Sequence, residues 1–196
     1  HIQQQQHFHR VVTFRAHLDI QPAGIAGGGI DGVFQVEFIS RTLAGMVAGK
    51  MSKTGTAGYV AGFPIPEVVQ GINAFALGLR AANPKAQVKV VWLNTWFDPA
   101  KEREAAQSLI NDGADMLTHH SGSTAIPVLA EENVAKGVRL LGYQSDMRPF
   151  APKAQLTSVT HHWGDRYTAV AKAVIAGTWK PKPFIGGVRE RIIQMA

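Results

Sequence analysis

Two hydrophobic rhythms alternate along most of the chain. AGYVAGF (57–63) is apolar throughout, as a strand buried on both faces would be. PEVVQGINAFALGLRAANP then places Val68, Ile72, Phe75 and Leu79 at helical spacing and closes on Asn83-Pro84. VKVVWLN reads as the next strand. DPAKEREAAQSLINDG reads as a helix with Asp98 at the N-cap, Pro99 at N1, an apolar face of Ala105, Leu109 and Ile110, and Gly113 just past its end. ADMLT, VRLLGY and LTSVTH predict three further strands, and TAIPVLAEENVAKG and GDRYTAVAKAVIAG two further helices. Upstream, FQVEFISRTLAGMVAGKMSK predicts a helix over 34–50 with Phe34, Phe38, Leu43, Met46 and Val47 on its apolar face. Residues 1–32 combine four consecutive glutamines, four of the eight histidines and the run PAGIAGGGIDG without a sustained period, and no fold is assigned to them.

Apolar strands separated by amphipathic helices specify a parallel sheet covered on both faces and wound by right-handed crossovers. The expected fold class is therefore α/β, an open parallel-sheet sandwich. GFPIPE carries prolines where a nucleotide-binding first turn needs glycines and free amides, which argues against a Walker or dinucleotide site.

A length of 196 residues with 45% hydrophobic content is enough to bury a sizeable core. The formal net charge of +6 is spread along the sequence, with no stripe of Lys and Arg interleaved with aromatics, so no nucleic-acid partner is expected. Zero cysteines remove disulfides, thiolate nucleophiles and Cys-based zinc sites together. No apolar run approaches the ~20 residues of a membrane span, and HIQQQQHFHRVV lacks the signal-peptide pattern. The chain is expected to be cytosolic, or a mature or truncated piece.

Ligands of open parallel sheets bind outside the carboxyl ends of the strands. The residues expected there are Phe63, then Asn94, Thr95, Trp96 and Asp98, then His119, His120, Ser121 and Ser123. Gln144, Ser145 and Asp146 follow, and last come His161, His162 and Trp163. Large flat side chains with a few polar groups suit a planar, neutral, hydrogen-bonding ligand such as a purine. Each residue has a plainer reading too. Trp96 is either a ligand wall or a lid on the helix start, Asp98 is better explained as a cap, and Phe63 and Trp163 fit a core equally well. Asp146 is either a direct hydrogen-bond acceptor or a turn former.

The His119-His120 and His161-His162 pairs invite a metal reading completed by Asp146. Neighbours in an extended segment point to opposite sides, however, so each pair offers about one ring to a shared site, and no H-E-x-x-H spacing occurs. A nucleophile elbow G-x-S-x-G is missing as well. KEREAA reads as a solvated helix face, with Glu102 and Glu104 near Lys101 and Arg103.

The run LAGMVAGKMSKTGTAGYVAGFPIPEVVQGINAFALGLRAANPKAQVKVVWLNTWFDPAKEREAAQSLINDGAD, followed by GYQSDM and LTSVTHHWGD, resembles the BMP (basic membrane protein) family of ABC-transporter substrate-binding proteins, from about Val33 to Trp179. The resemblance implies a type I periplasmic binding-protein fold with the ligand held between two lobes. By similarity, 55–153 is the C-terminal lobe and 33–54 with 154–196 a remnant of an incomplete N-terminal lobe. Residues 1–32 are unmatched and stand where the family carries most of that lobe.

The family implies that Phe63, Trp96 and Asp146 face the cleft. Gln144 stands where many nucleoside-binding relatives have an aspartate suited to ribose hydroxyls, which tilts the expectation toward a free base. The implied function is a non-enzymatic receptor of an ABC importer that binds a purine nucleobase or nucleoside and delivers it to a membrane permease. It would use Phe63, Asn94, Trp96, His120, Ser121, Asp146 and Trp163, need no cofactor or metal, and act as a monomer in the periplasm or on an extracytoplasmic membrane anchor. The rival readings are a small metal-dependent or hydrolytic α/β enzyme built on Asp146 and the histidine pairs, and the effector-sensing domain of a transcription regulator. Against the latter, no helix-turn-helix precedes Phe34.

Overall fold

A computed structural model of the chain describes residues 12–14, 33–35, 38–182 and 184–196, so the sequence reading of residues 1–32 lies outside the described residues except at 12–14. In chain order the elements are β1 (Val12–Phe14), β2 (Val33–Gln35), α1 (Phe38–Met51), β3 (Thr56–Ala61) and α2 (Pro66–Ala82). Next come β4 (Gln87–Trp92), α3 (Pro99–Asn111), β5 (Met116–His120), α4 (Ala125–Glu132) and a 3-10 turn over Val134–Lys136. The last are β6 (Arg139–Gln144), β7 (Gln155–His161), α5 (Gly164–Ile175), β8 (Phe184–Gly186) and β9 (Ile193–Met195).

Seven strands form one sheet in the order β1-β4-β3-β5-β6-β7-β9. The middle five run parallel, β1 lies antiparallel along β4, and β9 lies antiparallel along β7. From β3 the chain goes outward to β4 on one side and then returns to β5 on the other. The strand order therefore reverses between β3 and β5, and the carboxyl end of such a junction is where open parallel sheets bind ligands. β2 and β8 pair in a separate parallel ribbon.

Two cores cover the sheet, because successive side chains of a strand point to opposite faces. Tyr59, Val90, Met116 and Leu141 pack with Ile72, Phe75 and Leu79 of α2 on one face. Their sequence neighbours Val60, Val91, Leu117 and Leu140 pack with Leu109 of α3 and with Ile126 and Leu129 of α4 on the other. The uniformly apolar strands of the sequence are thus strands with two buried faces, and Val68, Ile72, Phe75 and Leu79 form the buried stripe of α2 as predicted.

The first helix departs from its prediction. Phe34 belongs to β2, and α1 begins at Phe38. Its buried face is Ser40, Arg41, Ala44, Gly45, Ala48 and Gly49, whereas Phe38, Leu43 and Met46 are 49%, 42% and 41% exposed. The reason is the closeness of α1 to α2. A methyl group on Gly45 would lie 2.0 Å from the carbonyl oxygen of Phe75, and one on Gly78 would lie 1.9 Å from that of Thr42. Only small residues fit at such a crossing, so the larger side chains turn outward. α1 packs on α2, and β7 pairs in parallel with β6. α5 buries none of its residues.

Candidate functional site

Backbone hydrogen bonds tie three strand ends together at the point where the strand order reverses. Gly62 N–H donates to the His120 carbonyl (3.1 Å), Asn94 N–H to that of Gly62 (2.9 Å), and Gly122 N–H to that of Trp96 (2.8 Å). Trp96 is 44% exposed and its indole lies over Gly62. Phe63 meets it edge-on, with ring centroids 5.1 Å apart at 65°. On its other side stands the imidazole of His120, at 6.1 Å and 47°.

The row continues along the sheet edge. His120 lies 4.5 Å from the Tyr143 ring, and its Nε2 is 3.0 Å from the Tyr143 hydroxyl. Tyr143 meets His161 at 5.2 Å and 90°. Beneath it, the buried guanidinium of Arg41 from α1 sits 3.7 Å from the Tyr143 centroid and 5.6 Å from that of Tyr59. Phe63, Trp96, His120, Tyr143 and His161 are therefore linked ring to ring near the ends of β3 to β7, with Tyr143 itself buried.

β5 extends two residues beyond the predicted ADMLT, so His119 and His120 are strand residues and not loop residues. As the period of 2 requires, they diverge. His119 is 1% exposed, and its Nδ1–H donates to the Ser121 carbonyl at 3.3 Å. Burial, with the Arg41 charge as a second cause, pushes its pKa down to about 4. His161 and His162 diverge in the same way, the first toward Tyr143 and the second with Nε2 2.8 Å from Thr160 Oγ1. Among the described residues no group of three or more His, Asp or Glu side chains could hold a metal ion.

The loop after β4 is built by its helix cap. Asp98 accepts from the Lys101 N–H at 3.1 Å, with Pro99 next to it at N1. Glu102 corrects the reading of KEREAA as a solvated face. It is fully buried, and it accepts from Asp98 N–H (3.2 Å), Ser121 Oγ–H (2.8 Å) and Ser123 N–H (3.2 Å). Ser121 is 4% exposed and directs its hydroxyl at this carboxylate.

Asp146 sits in the turn after β6 with its oxygens engaged locally. It accepts from the backbone N–H of Arg148 (3.1 Å), from Arg148 Nε (2.8 Å) and from Gln155 Nε2 (2.8 Å). The Arg148 guanidinium holds its carboxyl well below the usual carboxylate range. Trp163 stands at the N-cap position of α5, stacks on Tyr167 at 5.9 Å and 16°, and meets Phe184 at 6.2 Å. Asn94 and Gln144 are exposed and adopt left-handed backbone conformations, φ 56° and 69°. Such conformations at non-glycine residues gather where a chain must turn sharply beside a site.

Sequence reasoning missed Tyr143, Arg41, Glu102 and Gly62. Tyr143 reads as the interior of the strand VRLLGY. Arg41 had one signal, a lone charge in a run of small and apolar residues. Glu102 stands four residues after the N-cap, outside the three-residue spacing of a capping box.

The model of the family Bmp, ABC transporter substrate-binding protein PnrA-like, matches residues 34–196. The chain is 48% identical over 156 residues to a purine-binding protein of Brucella abortus, covering 80% of this chain and 44% of that protein. It is 41% identical over 148 residues to a Haloferax volcanii protein named for ABC-transporter glucose binding, covering 76% of this chain and 37% of that one. The chain thus spans less than half the length of these two relatives. Among solved structures, an ABC transporter solute-binding protein of Aeropyrum pernix superposes with a TM-score of 0.72 at 19% identity, over 84% of this chain and 49% of that one. This likeness shows the fold, the type I periplasmic binding-protein architecture expected from the sequence. The chain belongs to the PnrA-like family of ABC transporter substrate-binding proteins.

Proposed function

We propose that this chain supplies the cleft edge of a solute receptor that binds a purine nucleobase or nucleoside and delivers it to an ABC permease outside the cytoplasm. The cluster of Phe63, Trp96 and His120 at the reversal of strand order, backed by the buried Tyr143, carries the reading. Flat rings stack on a planar heterocycle, for about 1–3 kcal/mol per base when nucleic-acid bases stack on aromatics. The name of the Brucella abortus relative supports the same ligand class. No helix among the described residues is long and apolar enough to cross a membrane.

In this reading Trp96 and Phe63 form the wall, and His120 and Asn94 offer hydrogen bonds to the ligand edge. Ser121 and Asp146 line the ligand site from loops held by Glu102 and Arg148, and Trp163 borders it from the α5 side. Residues 55–153 make up the C-terminal lobe of the receptor, and 33–54 with 154–196 are a remnant of the N-terminal lobe. Gln144 in place of an acidic side chain favours a free base over a nucleoside.

The test is a calorimetric panel of adenine, guanine, hypoxanthine, their nucleosides and glucose. The last is included because of the Haloferax volcanii relative. Purine binding without turnover is expected. Glucose binding in preference to every purine, or chemical conversion of any ligand, would overturn the reading.

A further inference from the structure

Glu102 lies on α3, out of reach of solvent, yet it contacts both loops that flank the reversal of strand order. One oxygen, Oε1, accepts from the Asp98 N–H, two residues after Trp96. The other, Oε2, accepts from Ser121 Oγ–H and Ser123 N–H in the turn after β5. Between these two anchors the Gly122 N–H donates to the Trp96 carbonyl at 2.8 Å. Four hydrogen bonds thus close a ring through Trp96, Asp98, Glu102 and the Ser121–Ser123 turn.

We infer that Glu102 is a positioning residue for the ligand wall: its carboxylate locks the loop after β4 to the turn after β5 and so sets the indole of Trp96. Two facts make the carboxylate specific. An ionised carboxylate only accepts, through two oxygens and about four lone-pair sites, which matches three converging donors. A glutamine has a single acceptor oxygen, and its NH2 would face at least one of those donors. The indole is held on its underside by Gly62 and laterally by Phe63, so a shift of its backbone by a few tenths of an ångström moves it against both.

The consequence for ligand binding rests on the proposed purine reading, while the positioning itself does not. The protein contains four tryptophans, so 5-fluorotryptophan labelling with fluorine NMR gives a small set of resonances, and Trp96→Phe assigns the one of interest. Wild type, Glu102→Gln and the milder Ser121→Ala are compared, each also in a Trp96→Ala background for adenine titration.

Both variants are expected to shift or broaden the Trp96 resonance while the other three stay in place. They are also expected to weaken adenine binding about tenfold for Glu102→Gln and about threefold for Ser121→Ala. In the Trp96→Ala background the same changes are expected to alter affinity less than about twofold, since residues acting through one another are not additive. An unmoved Trp96 resonance in folded Ser121→Ala and Glu102→Gln protein would overturn the inference. So would an equal loss of affinity with and without Trp96. If adenine binds to none of the proteins, the purine reading fails and the resonance alone decides the role of Glu102.

Discussion

The indole of Trp96 lies across Gly62 so closely that a methyl group on the glycine would come within 2.5 Å of Cε3 and 2.7 Å of Cζ3. The same methyl would be 3.0 Å from the Thr95 carbonyl oxygen, a backbone atom that cannot swing aside. Gly62→Ala should therefore push the indole off the sheet edge. Adenine affinity is expected to fall about tenfold, with a changed near-UV circular dichroism and little change in the far-UV spectrum.

The α1–α2 crossing makes a different claim, about stability. In Gly78→Ala the added Cβ would meet backbone, the Thr42 carbonyl oxygen, which cannot swing aside as a side chain can. The expected loss is about 1–3 kcal/mol or more, read from urea denaturation. Gly164→Ala at the start of α5, where nothing lies within 4 Å, is the control and is expected to be neutral within about 0.5 kcal/mol.

His119 makes stability depend on pH in a defined window. Its pKa is lowered to about 4 in the folded protein against an ordinary 6.5, so between these values the unfolded chain binds a proton that the folded chain does not. This contribution is fully present above pH 6.5, fades as pH falls, and is gone below about 4. A change of that size corresponds to roughly 3 kcal/mol. His119→Leu is expected to flatten unfolding free energy between pH 6.5 and 4. Asp146 acts lower: its carboxyl is held down by Arg148, so its contribution is lost only as pH falls below the usual carboxylate range.

How much of this was legible in the sequence follows from what each element rests on. α2 and α3 were readable because propensity, cap and buried stripe agree, as in Val68–Ile72–Phe75–Leu79 and Asp98-Pro99. α1 misled because its interior face is set by how close another helix comes, and Gly45 and Gly78 hold no hydrophobic signal. Four of the five parallel strands were visible as mainly apolar runs and β7 was not, its QLTSVTH being largely polar, while β1, β2, β8 and β9 have only three residues each, too few to show a period.

At the candidate site, the place of Trp96 and Phe63 just past strand ends was legible by position. Glu102 was not, because a buried carboxylate and a solvated one look alike in KEREAA until the donors of a distant turn are brought to it. The pairing of Asp146 with Arg148 two residues on was not legible either, because its polar post-strand turn gives no sign of which partner the carboxylate takes.

The most direct test of the central claim is the adenine affinity of Trp96→Ala and Trp96→Phe beside the wild type, by calorimetry at one pH and salt concentration. Stacking on the wall predicts a loss of about tenfold or more for Trp96→Ala and recovery of most of it in Trp96→Phe, which keeps a flat ring. Equal adenine affinity in all three proteins would contradict the account.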